Sequence, residues 1–215
     1  MCIRDSRITY GSSGNFFSQL SNKAPFDLFF SADIGYPRKL IDQGLADRGA
    51  EFIYAVGRIV LWIPNSSALN TSKLGLDALT APSVKKLAIA NPQHAPYGRA
   101  AEAALRKRNL WEKVQGKLVL GENIAQTAQF VESGSADAGI IALSLALSPQ
   151  LKTKGRFWIV PLDDYPKIEQ AGVVLSYAAH PQAAELFRQF ITSADGRAIL
   201  DRYGLEAPAQ PQTSP

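Results

Sequence analysis

Leu87-Ala88-Ile89-Ala90-Asn91-Pro92-Gln93-His94-Ala95-Pro96-Tyr97-Gly98 contains the transition on which the fold turns. Leu87 to Ala90 is an apolar run of strand length, and it meets a proline-containing loop. Pro96 then stands just inside the start of a long amphipathic helix that runs through Arg108. The same strand–loop–helix sequence recurs downstream: Leu118-Val119-Leu120, then Gly121-Glu122-Asn123, then a helix from Ile124 to Glu132 closed by Gly134. Upstream, Ile8-Thr9-Tyr10 reads as a short strand, Gly11-Ser12-Ser13-Gly14 as a turn, and Asn15 to Leu20 as a helix stopped before Pro25.

The remaining segments extend this alternation. Phe26 to Ser31 is almost wholly apolar and reads as a parallel strand buried on both faces. Pro37 to Gln43 reads as helix closed by Gly44, and Leu74 to Leu79 as a short helix. Phe52 to Val56, Arg58 to Ile63, Ala138 to Leu143, Phe157 to Leu162 and Gly172 to Ala178 read as strands. Ser144 to Leu147 reads as a helical turn, and Pro181 to Ile191 and Gly196 to Arg202 as closing helices. Strands alternating with helices predict an α/β fold with mostly parallel sheets. The longest β segments, Arg58 to Ile63 and Gly172 to Tyr177, bracket a self-contained βαβαβ set, which suggests two lobes joined by two crossover strands.

Composition narrows the function classes. At 215 residues and 46% hydrophobic, the chain can bury a sizeable core. A net charge of +4 is mild for this length, and the densest basic group, Arg106-Lys107-Arg108, reads as a solvated helix end without interleaved aromatics. Nucleic acid is therefore not an expected partner. The single cysteine, Cys2, excludes an internal disulfide, and with only His94 and His180 beside it a zinc site has no ligand set. There is no apolar run of about twenty residues that could span a membrane as a helix.

Catalytic patterns are also missing. Ser12-Ser13 is not a G-x-S-x-G elbow, and no P-loop or G-x-G-x-x-G occurs. His94 lies in a proline-rich loop and His180 at a helix start, neither with triad company. Asp27, Asp33 and Asp163-Asp164 read as turn or cap residues rather than metal ligands. What remains are three strand-to-helix junctions: Gly11 to Gly14, Ala95 to Gly98 and Glu122 to Ile124. Each offers unpaired N–H groups and a positive dipole end, so a cleft between lobes could surround a small anion. Such junctions occur in every α/β protein, and spacing alone leaves open whether these form a site or only cap helices.

Four motifs bring a resemblance into view: Tyr10-Gly11-Ser12-Ser13-Gly14, Ala24-Pro25-Phe26-Asp27-Leu28-Phe29-Phe30-Ser31-Ala32-Asp33, Asn91 to Gly98 and Ser135-Ala136-Asp137-Ala138-Gly139-Ile140. In this order they resemble the periplasmic molybdate-binding proteins of ABC importers, over roughly Ile8 to Leu205. The resemblance implies a type II, Venus-flytrap periplasmic-binding-protein fold. It divides the chain into lobe I (1–59 and 173–207), lobe II (60–172) and a disordered tail (208–215). It implies capture of molybdate or tungstate, delivery to a membrane permease, a periplasmic monomer, no cofactor and no enzymatic activity.

Ser13 resembles the family's serine that donates its hydroxyl and N–H. Tyr97 and Ile124 fall at the two helix starts that donate backbone N–H groups, and Ser12 is a further candidate. The tyrosine that one branch carries after its Gly-Ile-Val strand is Ala142 here, with Tyr97 of the Pro-Tyr-Gly turn in its stead. Nothing in Met1 to Arg7 matches the family's first strand and its donor turn. The expectation is a chain lacking the signal peptide, that strand, the helix after it and part of the ligand shell. The alternatives are a binding protein for sulfate, thiosulfate or a phosphonate, and the effector-sensing domain of a transcription regulator.

Overall fold

A computed structural model describes residues 6–208. The expectations for Met1 to Asp5 and for the tail beyond Pro208 lie outside the described residues. The chain opens with helix α1 (Ser13–Ser21), strand β1 (Leu28–Ser31), α2 (Gly35–Asp42) and β2 (Phe52–Gly57). β3 (Ile59–Pro64), α3 (Thr71–Leu74) and a 3-10 turn (Gly75–Thr80) follow, then β4 (Leu87–Ala90), α4 (Pro96–Lys107), α5 (Trp111–Val114) and β5 (Leu118–Gly121). The second half contains α6 (Ile124–Glu132), β6 (Ala138–Ala142), α7 (Leu143–Ala146), β7 (Gly155–Ile159), β8 (Ile168–Val174), α8 (Pro181–Thr192) and α9 (Ala194–Arg202).

The strands form a three-stranded sheet, β1-β8-β2, and a five-stranded sheet, β5-β4-β6-β3-β7. β3 is buried along nearly its whole length, and its residues alternate between two cores as the period of a strand requires. Ile59, Leu61 and Ile63 face a core with Ala101, Ala104 and Leu105 of α4, while Val60 and Trp62 face one with Ala128 and Val131 of α6. The small sheet has its own core around Leu20, Phe29, Leu40 and Val173. Helices α4 and α6 therefore lie on opposite faces of the large sheet, both starting beyond the carboxyl ends of β4 and β5.

Several expectations are corrected. Among the described residues only β4–β5 and β4–β6 run parallel; β1–β8, β2–β8, β3–β6 and β3–β7 are antiparallel. The chain leaves the small sheet at Gly57, enters the large one directly as β3, and comes back through β8 against both β1 and β2. β1 is antiparallel with alternating burial; its apolar run is continuous because Phe30, on the outer face, stacks edge-on against Phe52, Tyr54 and Phe187 of α8. Ile8 to Tyr10 forms no strand and finds no neighbouring strand among the described residues, which leaves Tyr10 82% exposed. The helix expected over Leu74 to Leu79 divides at Gly75, whose φ of +56° breaks the helical path.

The second crossing also shifts. β8 begins at Ile168 and pairs with the small sheet along its whole length, so residues 168–172 belong there and a boundary at 172/173 would cut the strand. Glu169 and Gln170 are polar and hide the start of the strand from a reading by apolar runs. The connection between sheets on the return falls within 160–167.

Candidate anion-binding cleft

Each of the three expected junctions is a helix start, and each leaves particular N–H groups unused. At α1 the Ser12 Oγ accepts the Asn15 N–H at 3.3 Å, as an N-cap does. Gly14 N–H instead crosses to the His94 carbonyl, at 3.0 Å, and Ser13 N–H has no acceptor among the described residues. At α4 the N-cap is Ala95, which has no polar side chain to offer, Pro96 has no N–H, and Tyr97 N–H has no acceptor among the described residues. At α6 Asn123 Oδ1 accepts from Gln126 N–H at 2.9 Å while Gln126 Oε1 accepts from Glu122 N–H at 2.7 Å. That reciprocal cap leaves Ile124 and Ala125 N–H without an acceptor among the described residues.

The three helix starts converge. Gly14 to His94 ties α1 to the loop before α4, and Asn15 Nδ2 to Glu122 Oε1, at 2.9 Å, ties α1 to the loop before α6. Asn91 N–H to Gly121 O, at 2.8 Å, ties the two large-sheet loops together. Glycine is needed at two of these places. A Cβ on Gly14 would lie 2.7 Å from His94 O, and one on Gly98 would collide with the Ala90 carbonyl, preventing α4 from seating on β4. The positive ends of helices of 9, 12 and 9 residues thus point into one cleft between the two sheets.

The expected site residues are placed as follows. Ser12 and Ser13 are buried at the first turn of α1. Ser13 Oγ accepts the Ala32 N–H at 3.0 Å, which fixes the side chain and leaves its hydrogen to donate. Tyr97 is buried, and its hydroxyl receives a hydrogen bond from Gln170 Nε2 at 2.6 Å; burial raises its pKa far above the usual phenol value. Ile124 is half-buried at the first position of α6. Ala142 ends β6 at the start of α7, with no hydroxyl to contribute.

His94 deserves a chemical reading because Nδ1 lies 3.0 Å from Ser12 Oγ. Either atom of this pair can be the donor: Ser12 Oγ, which accepts from Asn15 N–H, keeps a second lone pair for an Nδ1–H and a hydrogen for a bare Nδ1. No carboxylate among the described residues orients that ring, and Ser12 is buried as a cap. The pair ties the start of α1 to the loop before α4, without the third group that orients the base of a triad among the described residues. The nearest carboxylates are also committed: Asp33 pairs with Arg99 across the cleft and accepts from Gly35 N–H at 2.7 Å, and Glu122 accepts from Asn15. No group of three His, Cys, Asp or Glu that could hold a metal ion occurs among the described residues, and no helix there is long and apolar enough to cross a membrane.

Residues 5–206 match the sequence profile of the family described as bacterial extracellular solute-binding protein. The chain belongs to this family. The molybdate-binding protein ModA of Rhodobacter capsulatus is 35% identical over 195 residues, covering 91% of this chain and 75% of that protein. ModA of Azotobacter vinelandii is 37% identical over 196 residues, 91% of this chain and 77% of its own. The solved structure of the Azotobacter vinelandii periplasmic molybdate-binding protein matches with a TM-score of 0.85 at 34% identity, covering 92% of this chain and 85% of that one. The two-sheet α/β architecture is the periplasmic-binding-protein fold.

Within this solute-binding fold, reading the sequence missed the residues that close the cleft. Asn15, Glu122, Arg99 and Gln170 act through contacts between segments 66 to 116 positions apart, which no local pattern announces. Asp33, expected in a turn or cap role, accepts from Gly35 N–H in the turn before α2, whose N-cap is Ile34, and it also forms the ion pair with Arg99. The basic group Arg106-Lys107-Arg108 is exposed at the end of α4, as expected, and two of its members also make contacts: Arg106 pairs with Glu102 and lies over Trp111, and Arg108 pairs with buried Asp164.

Proposed function

We propose that the cleft captures molybdate, or tungstate, as the intact tetrahedral dianion and that the protein delivers it to the membrane permease of an ABC importer. The observation that carries this reading is the convergence of three helix N-termini whose Ser13, Tyr97 and Ile124 N–H groups have no acceptor among the described residues. In this reading lobe I is the small-sheet side and lobe II the large-sheet side; Ser13 donates its hydroxyl and N–H from the first, Tyr97 and Ile124 their N–H groups from the second. Ser12 supports them as a cap. The protein works in the periplasm as a monomer, without cofactor and without catalysis. The printed names of the relatives support the choice of ligand.

The chemistry suits a fully deprotonated oxyanion. Neutral, oriented donors stabilise a dianion without burying a counter-ion that must itself be desolvated. A protonated phosphate needs an acceptor, and the carboxylates at the rim are engaged with Arg99 and Asn15. Sulfate is excluded on radius rather than charge. Closure is a hinge motion whose population shifts with the ligand.

Thermal melts and calorimetry with molybdate and sulfate test the reading. Molybdate at about a hundredfold excess over Kd is expected to stabilise the protein by about 2.7 kcal/mol. Ser13→Ala is expected to weaken binding by about 1–3 kcal/mol, since it removes a donor and leaves the Ala32 N–H unpaired. A protein that ignores molybdate and responds to sulfate overturns the choice of ligand, and undiminished affinity in Ser13→Ala removes Ser13 from the site.

A further inference from the structure

Beneath the cleft, where the chain passes from the small sheet to the large one, a buried polar chain joins the two sides. Tyr54 on β2 donates its hydroxyl to Gln170 Oε1 at 2.8 Å, and Gln170 Nε2 donates to the Tyr97 hydroxyl oxygen at 2.6 Å. Gln170 is 7% exposed and Tyr97 6%. Gly57, the last residue of β2, makes room for the contact: a Cβ there would lie 2.7 Å from Gln170 Nε2 and collide with the Tyr97 hydroxyl. Tyr165 completes the cluster, its hydroxyl accepting the Ile59 N–H at 3.3 Å just past the crossover.

The hydrogens in this chain have a direction. A carboxamide oxygen only accepts and its nitrogen only donates. With Tyr54 donating to Oε1, the amide is held one way round and Nε2 must face Tyr97. The Tyr97 oxygen is then occupied as an acceptor, and its own hydrogen has no acceptor among the described residues. An unmatched buried donor is costly, so the arrangement calls for a partner. The reverse direction would have Tyr97 donate to Gln170 and leave it no hydrogen for anything else.

Register places this chain against the cleft. On β8 Gln170 precedes Ala171, which pairs with Ser31 of β1, and the next residue of that strand end is Ala32, whose N–H holds the Ser13 hydroxyl. Tyr97 is at the second position of α4, where side chains lean back toward the helix N-terminus. One amide thus lies between the support of Ser13 on one side and Tyr97 on the other.

Resting on the oxyanion-binding reading above, we propose that Gln170 is a positioning residue: held by Tyr54, it fills the acceptor side of the Tyr97 hydroxyl and turns that hydroxyl's hydrogen toward the bound anion. Tyr54, which touches no helix start, then acts on binding only through Tyr97. Closing the cleft also seats Tyr97 against Gln170, so the same contact links donor direction to the closed form.

A double-mutant cycle with molybdate as the probe tests this, on the full chain, with calorimetric Kd values and ligand-free melting temperatures for each form. Tyr54→Phe is expected to weaken molybdate binding about 3- to 10-fold, the scale of one net hydrogen bond. In a Tyr97→Phe background the same change is expected to alter Kd by less than about 2-fold, a coupling of the kind such cycles isolate. Gln170→Glu, which can only accept and adds a negative charge, is expected to weaken binding more than either; Gln170→Met serves as the neutral comparison if that variant folds poorly. Equal losses from Tyr54→Phe in both backgrounds, or no loss at all, overturn the relay while leaving molybdate binding intact. Failure of the parent protein to bind molybdate overturns the functional reading and the relay with it.

Discussion

Gly14→Ala is the perturbation that separates binding from folding most sharply. The Gly14 N–H reaches the His94 carbonyl at 3.0 Å across the cleft, and an added Cβ would lie 2.7 Å from that oxygen, 2.9 Å from the Tyr36 hydroxyl and 3.0 Å from His94 Cβ. Two of these neighbours are fixed by the backbone of the loop before α4, so no rotamer change relieves them. An ordinary carbon–oxygen contact begins at 3.4 Å, which requires the two backbones to part by about 0.7 Å. The Gly14–His94 separation then grows to about 3.7 Å, beyond hydrogen-bonding range. The lost bond costs about 0.5–1.5 kcal/mol, and donors displaced from the anion add to it. Alanine's better helix propensity, at most about 1 kcal/mol, favours the open and closed forms alike. The expected outcome is a molybdate Kd raised about 10-fold or more, with a ligand-free melting temperature unchanged or slightly higher. Calorimetry and melts with and without molybdate measure both. Parental affinity in Gly14→Ala would refute the close approach of α1 to His94 in the ligand-bound form.

Two further outcomes are expected. Arg99 and Asp33 pair across the cleft with side chains 39% and 34% exposed, so Arg99→Gln should speed molybdate release only about 2- to 5-fold, an effect that fades at high ionic strength; stopped-flow release rates that do not depend on salt would remove the pair from closure. Burial raises the pKa of Tyr54 and Tyr97 above the ordinary value of 10.0, so the fold favours their protonated forms. Their contribution is full below about pH 10 and is lost progressively above it. Urea midpoints followed upward from about pH 8 should fall on the alkaline side, and should fall less steeply in Tyr54→Phe.

The parts of this fold that sequence makes legible are those written within a few residues. Pro96 after a short buried strand, Gly44 and Gly134 at positive φ, and the Asn123 and Ser12 caps each declare a helix end by local chemistry. Strand direction and partnership are not local. Ile8 to Tyr10 has the residues of a strand and no ladder to join among the described residues, and β8 begins at Ile168 and continues through polar Glu169 and Gln170 because its pairing decides its start. The site divides the same way. Its donors can be read as helix starts, whereas the contacts that bring those starts together depend on the two sheets meeting.

Why should such a cleft wait for its ligand before closing? In the closed arrangement Ser13, Tyr97, Ile124 and Ala125 N–H groups face one another's helix ends without acceptors among the described residues. Each donor withdrawn from water and left unmatched costs about 1–3 kcal/mol. The contacts favouring closure in the absence of anion are few: one backbone hydrogen bond at Gly14, the Ser12–His94, Asn15–Glu122 and Gln170–Tyr97 bonds, and a half-exposed ion pair. Each of these contributes about 1 kcal/mol or less. Moving a two-state equilibrium from nearly all open to nearly all closed takes about 5.5 kcal/mol. In the proposed reading, a tetrahedral dianion that accepts from the Ser13, Tyr97 and Ile124 N–H groups and the Ser13 hydroxyl would supply a difference of that size, because it interacts fully only when both sides of the cleft contribute. In that reading, the same donors that leave the empty closed form unsatisfied would make closure conditional on the ligand.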